Sequence, residues 1–137
     1  MALLYVDASA VVKLVRDEPE SPALREFIAD ADLVSCELVL TEVPRAIRRA
    51  AALDPQLDLD QLLARFEETI DAFGLVPLDQ ALLLAAGALA ERSLRALDAI
   101  HVAAAASLTP IDGFLGYDDR QAAAARLAGL RTFAPGR

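Results

Sequence analysis

The chain has 137 residues, 55% of them hydrophobic and 5% aromatic, and its formal net charge is -8. A chain of this length buries about two-thirds of its unfolded surface, so we expect one domain over residues 1–137 that folds without disulfides or a structural metal. The acidic balance excludes a protein that coats nucleic acid through positive charge alone, and the single cysteine excludes an internal disulfide.

The cellular location is predicted from the same features. No basic segment precedes an apolar one at the start of the chain, and the strongly apolar run ALLLAAGALA is about half as long as a membrane span. Cys36 lies in the apolar stretch LVSCELVL, which is typical of a buried thiol in a reducing compartment. We therefore expect a cytoplasmic protein that does not cross a membrane.

Short apolar runs alternate with helical patterns along the chain. The runs lie at Leu3–Val6, Leu33–Cys36, Leu75–Leu78, Gly113–Tyr117 and Leu130–Ala134. Helical patterns fill the gaps, at Ala8–Val15, Pro22–Ala31, Leu38–Leu53, Leu59–Phe73, Gln80–Ser93, Leu97–Ser107 and Asp119–Ala128. The alternation predicts an α/β protein, a three-layer α/β/α sandwich with a central, mostly parallel sheet of about five strands.

Acidic residues stand where the predicted strands end or the next helices begin. They are Asp7 after the first strand, Glu42 in the helix after the second, Asp98 in LDAIHVAAAA, and Asp118 with Asp119 after the fourth strand. Each alone is explained by helix capping, and Asp7 with Ser9 is an ordinary cap for the first helix. Because parallel strands end at a common edge of the sheet, where such folds bind ligands, we expect these acids to lie near one another.

Clustered carboxylates favour a hard cation. Without basic neighbours they repel one another, and a divalent ion between them removes the repulsion. Mg²⁺ takes oxygen ligands and retains waters, and two such ions about 3.5–4 Å apart would support hydrolysis of a phosphodiester. One His and one Cys in the whole chain are too few for a zinc-type site.

Four segments together carry a resemblance to a known family. They are YVDASAVVKL with the following DEPES, TEVPRAIRRA, LRALDAIHVAAA and FLGYDDRQAAAA. In this order, each with an acid, they resemble the signature blocks of the PIN-domain family, in particular the toxin ribonucleases of bacterial VapBC-type toxin-antitoxin pairs. The resemblance implies a PIN-like fold, a Mg²⁺- or Mn²⁺-dependent endoribonuclease that hydrolyses RNA phosphodiester bonds, a cognate VapB-type antitoxin and a homodimer.

The same resemblance assigns the site. It gives catalysis and metal binding to an acidic quartet, which comprises Asp7, Glu42, Asp98 and Asp118. Ser9 matches the small hydroxyl residue that supports the first acid. Relatives often have Thr two residues before the fourth acid, where this chain has Gly116. We expect Asp118 to face the metal, and Asp119 to cap the next helix.

Basic residues and the histidine have two interpretations each. Glu42, Arg45 and Arg49 share one helix face, so the arginines either pair with Glu42 on a solvated stripe or contact RNA phosphates. His101 follows Asp98 by three positions. We favour a packing or supporting role for it over general-base catalysis, because a metal-bound water would supply the nucleophile.

Two rival functions stay open. A phosphoryl-transfer domain with a phosphorylated Asp7 needs a second acid two residues later, or an acidic pair just before it, together with a Lys after a later strand. The chain has Ser9 and a single lysine, Lys13. A catalytically degenerate PIN-like domain that binds RNA or protein is the second rival; the departure at Gly116 favours it, and the presence of all four acids opposes it.

Overall fold

A fully parallel sheet of five strands forms the centre of the protein in the computed structural model, which describes residues 1–137. The strands are β1 (Leu3–Val6), β2 (Asp32–Cys36), β3 (Phe73–Val76), β4 (Gly113–Leu115) and β5 (Thr132–Phe133). Their spatial order is β3-β2-β1-β4-β5, and every neighbouring pair is parallel. The predicted parallel sheet is confirmed.

Seven helices cover both faces of this sheet. They are α1 (Ala8–Val15), α2 (Ser21–Ile28), α3 (Val39–Leu53), α4 (Leu59–Asp71), α5 (Gln80–Gly87), α6 (Ala96–Ala106) and α7 (Asp119–Leu127). Side chains of β1 alternate between the faces: Leu4 and Val6 pack with α1 to α4, whereas Tyr5 packs with α5 to α7. The three-layer α/β/α arrangement is therefore also confirmed. None of the helices combines the length and hydropathy that a membrane crossing requires.

The order of the strands creates a crevice beside the central strand. From β1 the chain moves outward through β2 and β3, and it then crosses to β4 and β5 on the other side of β1. In parallel α/β sheets, ligands bind at the carboxyl ends of the strands where the direction of winding reverses. Here that point lies between β1 and β4, which are paired through Val6 and Leu115.

Several predicted boundaries are wrong by a few residues. The third strand begins at Phe73, where we expected helix, and ends at Val76 because Pro77 has no N–H to continue the ladder. The helix predicted over Gln80–Ser93 ends at Gly87, and turns lead to α6. β4 ends at Leu115, since the N–H of Tyr117 bonds to a side chain and not to a neighbouring strand.

Candidate active site at the carboxyl edge of the sheet

A cavity of about 510 Å³ opens at the carboxyl ends of β1 and β4. Its walls include Asp7, Ser9, Glu42, Arg49, Asp98 and Asp118. The four acids come from four different segments: the turn into α1, the first turn of α3, the first turn of α6 and the turn into α7. The fold therefore gathers the quartet proposed from the sequence around one cavity.

Asp7 lies at the floor of this cavity and is only 3% exposed. It is the N-cap of α1: its Oδ1 accepts hydrogen bonds from the N–H of Ala10 at 2.9 Å and the hydroxyl of Ser9 at 2.8 Å. Burial raises the pKa of Asp7 to about 6, against the partial compensation of these hydrogen bonds. Asp7 therefore both caps a helix and presents a costly buried carboxyl group to the cavity.

Gly116 makes room for this carboxyl group. A Cβ atom at position 116 would lie 2.7 Å from Oδ2 of Asp7, closer than such atoms approach one another. Ser9, besides donating to Asp7, accepts the N–H of Tyr117 at 3.2 Å and so joins the end of β4 to the start of α1. Gly116 therefore leaves the space in which the carboxyl group of Asp7 lies in this chain.

Glu42 is bound by His101 and not by the neighbouring arginines. Its Oε1 lies 2.6 Å from Nε2 of the imidazole, and neither Arg45 nor Arg49 forms an ion pair. Burial alone disfavours the imidazolium, but hydrogen bonds with Cys36 and Glu42 raise the pKa of His101 to about 10. Of the two interpretations of these arginines, the pairing with Glu42 is therefore not found.

Asp98 and Asp118 are electrostatically coupled. Partial burial and the nearby carboxylate of Asp118 raise the pKa of Asp98, although Arg95 lies 3.8 Å from its Oδ2. Like charges that interact in this way favour binding of a cation between them.

The cap of α7 is Asp118, whose Oδ1 accepts the N–H of Gln121 at 2.9 Å. Our expectation that Asp119 caps this helix is wrong, because α7 begins at Asp119 and the residue before the first helical residue is Asp118. Asp119 is not on the wall of this cavity; it lines a second cavity together with Asp98 and Asp118, and it pairs with Arg137 at 3.3 Å.

The donor chemistry of the cavity fits a hard cation, although no group of three His, Cys, Asp or Glu side chains is close enough for a ready-made metal centre. The available donors are carboxylate oxygens, which Mg²⁺ prefers, and Mg²⁺ needs few protein ligands because it retains waters. Oδ2 of Asp7 has no hydrogen-bond partner, so it is free to bind such an ion. Side-chain movement would have to accompany binding.

Two arginines line the cavity, and the sequence prediction named one of them. Arg49 lies on its wall, whereas Arg45, one helical turn earlier, does not. The sequence analysis did not identify Arg95, which also lies on the wall. Its position immediately before the helix that carries Asp98 could have indicated it. The cavity therefore combines carboxylates with a small number of cations.

These features define an α/β protein with an acidic site at the carboxyl edge of a parallel sheet. The chain belongs to the PIN domain family, whose sequence pattern matches residues 4–127. It is 38% identical over 137 residues to Ribonuclease VapC46 of Mycobacterium tuberculosis strain ATCC 25618 / H37Rv, covering 98% of this chain and 99% of that protein. It is 34% identical over 140 residues to Ribonuclease VapC35 of strain CDC 1551 / Oshkosh, covering 98% of each.

Two solved structures share the fold. The crystal structure of PAE2754 from Pyrobaculum aerophilum has a TM-score of 0.67 at 18% identity, covering 96% of this chain and 83% of that one. VapBC2 from Rickettsia felis, crystallised with a DNA fragment from its promoter, has a TM-score of 0.69 at 10% identity, covering 97% and 98%. At these identities the likeness shows the fold.

The pKa of Asp7 leads to a prediction about stability. Because this pKa is raised from 3.8 to about 6, the folded protein holds the proton more tightly than the unfolded chain, and stability is lost as pH rises through this interval. Asp7→Asn keeps a capping oxygen and removes the charge. In metal-free buffer, the free energy of unfolding of the variant relative to wild type should rise by on the order of 2–3 kcal/mol from pH 4 to pH 7. Urea unfolding at each pH measures this difference.

Asp119→Asn, at an exposed position, is the matched control and should show no such trend. An Asp7→Asn advantage that stays constant from pH 4 to pH 7 would show that the pKa of Asp7 is not raised.

Proposed function

We propose that the chain is a metal-dependent endoribonuclease, the toxin of a VapBC-type pair, and that it cleaves RNA in the cytoplasm. The observation that carries the proposal is the convergence of Asp7, Glu42, Asp98 and Asp118 on one cavity. Membership of the PIN domain family and 34–38% identity to proteins named ribonucleases, over nearly the whole chain, support the same function.

The quartet would hold Mg²⁺ or Mn²⁺. Such an ion, when bound, polarises the phosphodiester and lowers the pKa of a bound water. Asp7 is pre-oriented by Ser9 and by the backbone of α1, with Oδ2 directed away from both hydrogen bonds. The mutual repulsion of Asp98 and Asp118 would be relieved by the ion, which makes binding favourable.

Arg49 and Arg95 are proposed to bind RNA phosphates beside the acids. The chain has a net charge of -8, so a polyanionic substrate needs local cations to approach the site. Both side chains lie on the cavity wall. Such contacts position the strand and carry no sequence information.

The rival functions are less well supported. A phosphoryl-transfer site needs a lysine near the phosphorylated Asp, but Lys13 is held by Glu20 at 3.0 Å and Glu18 at 3.7 Å. A degenerate binding domain would not require four carboxylates around one cavity. Gly116 leaves room for the carboxyl group of Asp7, so the departure at this position is compatible with an intact acidic site.

We further propose a VapB-type antitoxin as partner and a homodimer as the assembled toxin. An acidic cavity is well suited to an arginine from an inhibitory peptide, since its planar guanidinium pairs with two carboxylates. Leu97 on the cavity wall and Leu40 on α3 are both exposed, and they offer apolar contacts for an amphipathic segment.

The acids can be tested with isosteric amides. Asp98→Asn and Asp118→Asn each remove a charge while keeping shape, and Asn preserves the cap of α7, so both should lower RNA cleavage at least 100-fold without unfolding the protein. Asp119→Asn is the matched control and should retain wild-type activity. Cleavage is followed on a mixed RNA substrate with Mg²⁺, and a chelator should abolish it.

Wild-type cleavage by Asp98→Asn, or undiminished cleavage in chelator, would contradict the metal-dependent mechanism. A larger loss in Asp119→Asn than in Asp118→Asn would contradict the assignment of the fourth acid.

The arginines provide a second test, because Arg49 and Arg45 lie on one helix but only the former lines the cavity. Arg49→Ala should raise KM for RNA severalfold and reduce the slope of log affinity against log salt by about 0.7–0.9, as expected for loss of one phosphate contact. Arg45→Ala should leave both quantities unchanged. Equal effects of the two substitutions would indicate general charge attraction and contradict a specific contact by Arg49.

The partner is tested by expression in growing cells. Wild-type protein alone should arrest growth and degrade RNA, Asp7→Asn should do neither, and co-expression with the small protein encoded beside the gene should restore growth. Growth and RNA integrity are followed together. Folded wild-type protein that leaves both unaffected would contradict the toxin function and favour the binding domain.

A further inference from the structure

We propose that His101 is a positioning residue that holds Glu42 at the cavity wall, so that one carboxylate oxygen is committed to the imidazole and the other is left for a cation. This inference rests on the proposed function and adds a residue outside the acidic quartet. It is carried by the geometry of a buried chain of contacts that runs from the central strand to the cavity.

The imidazole of His101 is fixed on both sides. Its Nε2 lies 2.6 Å from Oε1 of Glu42, and its Nδ1 lies 2.8 Å from the hydroxyl of Tyr5. The residue is 1% exposed, so the protein and not solvent supplies these partners. With both nitrogens engaged, His101 has none left to exchange a proton with a substrate, which argues against a catalytic role.

Tyr5 is itself immobilised by the sheet. It is fully buried in β1, its ring stacks on Phe114 of β4 with centroids 5.4 Å apart, and it meets the ring of His101 edge-on at 5.9 Å. A side chain packed in this way has one rotamer available. The packing of Tyr5 with Phe114 across the two central strands therefore fixes the orientation of the imidazole.

The Glu42 contact joins the two helical layers. Glu42 lies in α3, which packs on one face of the sheet, and His101 lies in α6, which packs on the other. One turn before His101, the same helix carries Asp98 to the cavity. The hydrogen bond thus fixes the distance between two acids of the quartet that belong to opposite layers.

Loss of this support should affect metal binding before it affects folding. A carboxylate released from its partner samples several rotamers, and fixing it again on cation binding costs entropy. Substitution of groups that orient metal ligands lowers metal affinity or activity about 10–100-fold. Glu42, with its second oxygen unpaired, is such an oriented group.

Substitution of His101 by Gln or by Asn distinguishes the two ring nitrogens, because each amide replaces only one of them. In His101→Gln the amide N–H takes the place of Nε2 and can still donate to Glu42, whereas in His101→Asn the amide corresponds to Nδ1 and cannot reach Glu42. We expect His101→Asn to bind Mn²⁺ about 10–100-fold more weakly and to lower kcat with little change in KM for RNA. His101→Gln should restore most of both. Asp119→Asn serves as the unaffected control.

Binding of Mn²⁺ to metal-free protein is measured by electron paramagnetic resonance without RNA, and thermal unfolding shows that each variant is folded. Wild type that binds Mn²⁺ while His101→Asn and His101→Gln behave alike would overturn the positioning role alone. Wild type that neither binds Mn²⁺ nor cleaves RNA would overturn the proposed function, and the positioning role with it.

A second measurement does not depend on any variant of His101. The chain has one histidine, so its imidazole N–H signals in a proton NMR spectrum need no assignment by mutation. Metal-free wild type should show a downfield N–H signal protected from solvent exchange, and Glu42→Ala should lose that protection. A freely exchanging signal in wild type would overturn the proposal.

Discussion

The carboxyl group of Asp7, buried at the end of the central strand, constrains the whole carboxyl edge of the sheet. Its Oδ1 is satisfied by the backbone of α1 and by Ser9, and Ser9 in turn holds the backbone after β4. Gly116 leaves the space that Oδ2 occupies, and a side chain at this position would require the Asp7 carboxylate to shift. The start of α1, the end of β4 and the glycine are thus all fitted to one acidic side chain.

Keeping this group charged opposes folding, since burial raises its pKa well above the usual range. The negative charge of Glu42 also raises this pKa, and Asp98 and Asp118 repel one another in the same site. Proteins retain such unfavourable arrangements at functional sites and offset them by packing elsewhere. Here the offset comes from two apolar clusters, one on each face of the sheet, that fix the helices carrying the acids.

The order of layers and the convergence of acids were predictable from the sequence, for separate reasons. Continuous apolar runs such as Leu3–Val6 are typical of parallel strands that helices cover on both faces. Acids that follow such strands then lie at the same edge of the sheet, at the carboxyl ends of the strands. Family resemblance added the metal and the antitoxin, which residue patterns alone do not specify. Boundaries were less predictable: β3 is displaced toward Phe73, where the helical pattern continues although the chain has already entered the sheet.

Other features of the site depend on tertiary packing and were not readable from local pattern. Arg45 and Arg49 share a helix face, but only Arg49 lies on the cavity wall. The cap of α7 is Asp118 and not Asp119, and two adjacent acids of the same type give no local signal for choosing between them. The contact of Tyr5 with His101 joins residues 96 positions apart, so no local spacing could indicate it.

The central claim is that these carboxylates form a binding site for a divalent ion once their side chains move together. Anomalous diffraction from crystals grown with Mn²⁺ tests it most directly, because the ion is located independently of any activity. We predict one or two peaks at ligating distance from Asp7 and Asp98, with Glu42 and Asp118 contributing directly or through water. Well-ordered crystals with Mn²⁺ bound elsewhere, and with the four side chains unchanged and metal-free, would contradict the account.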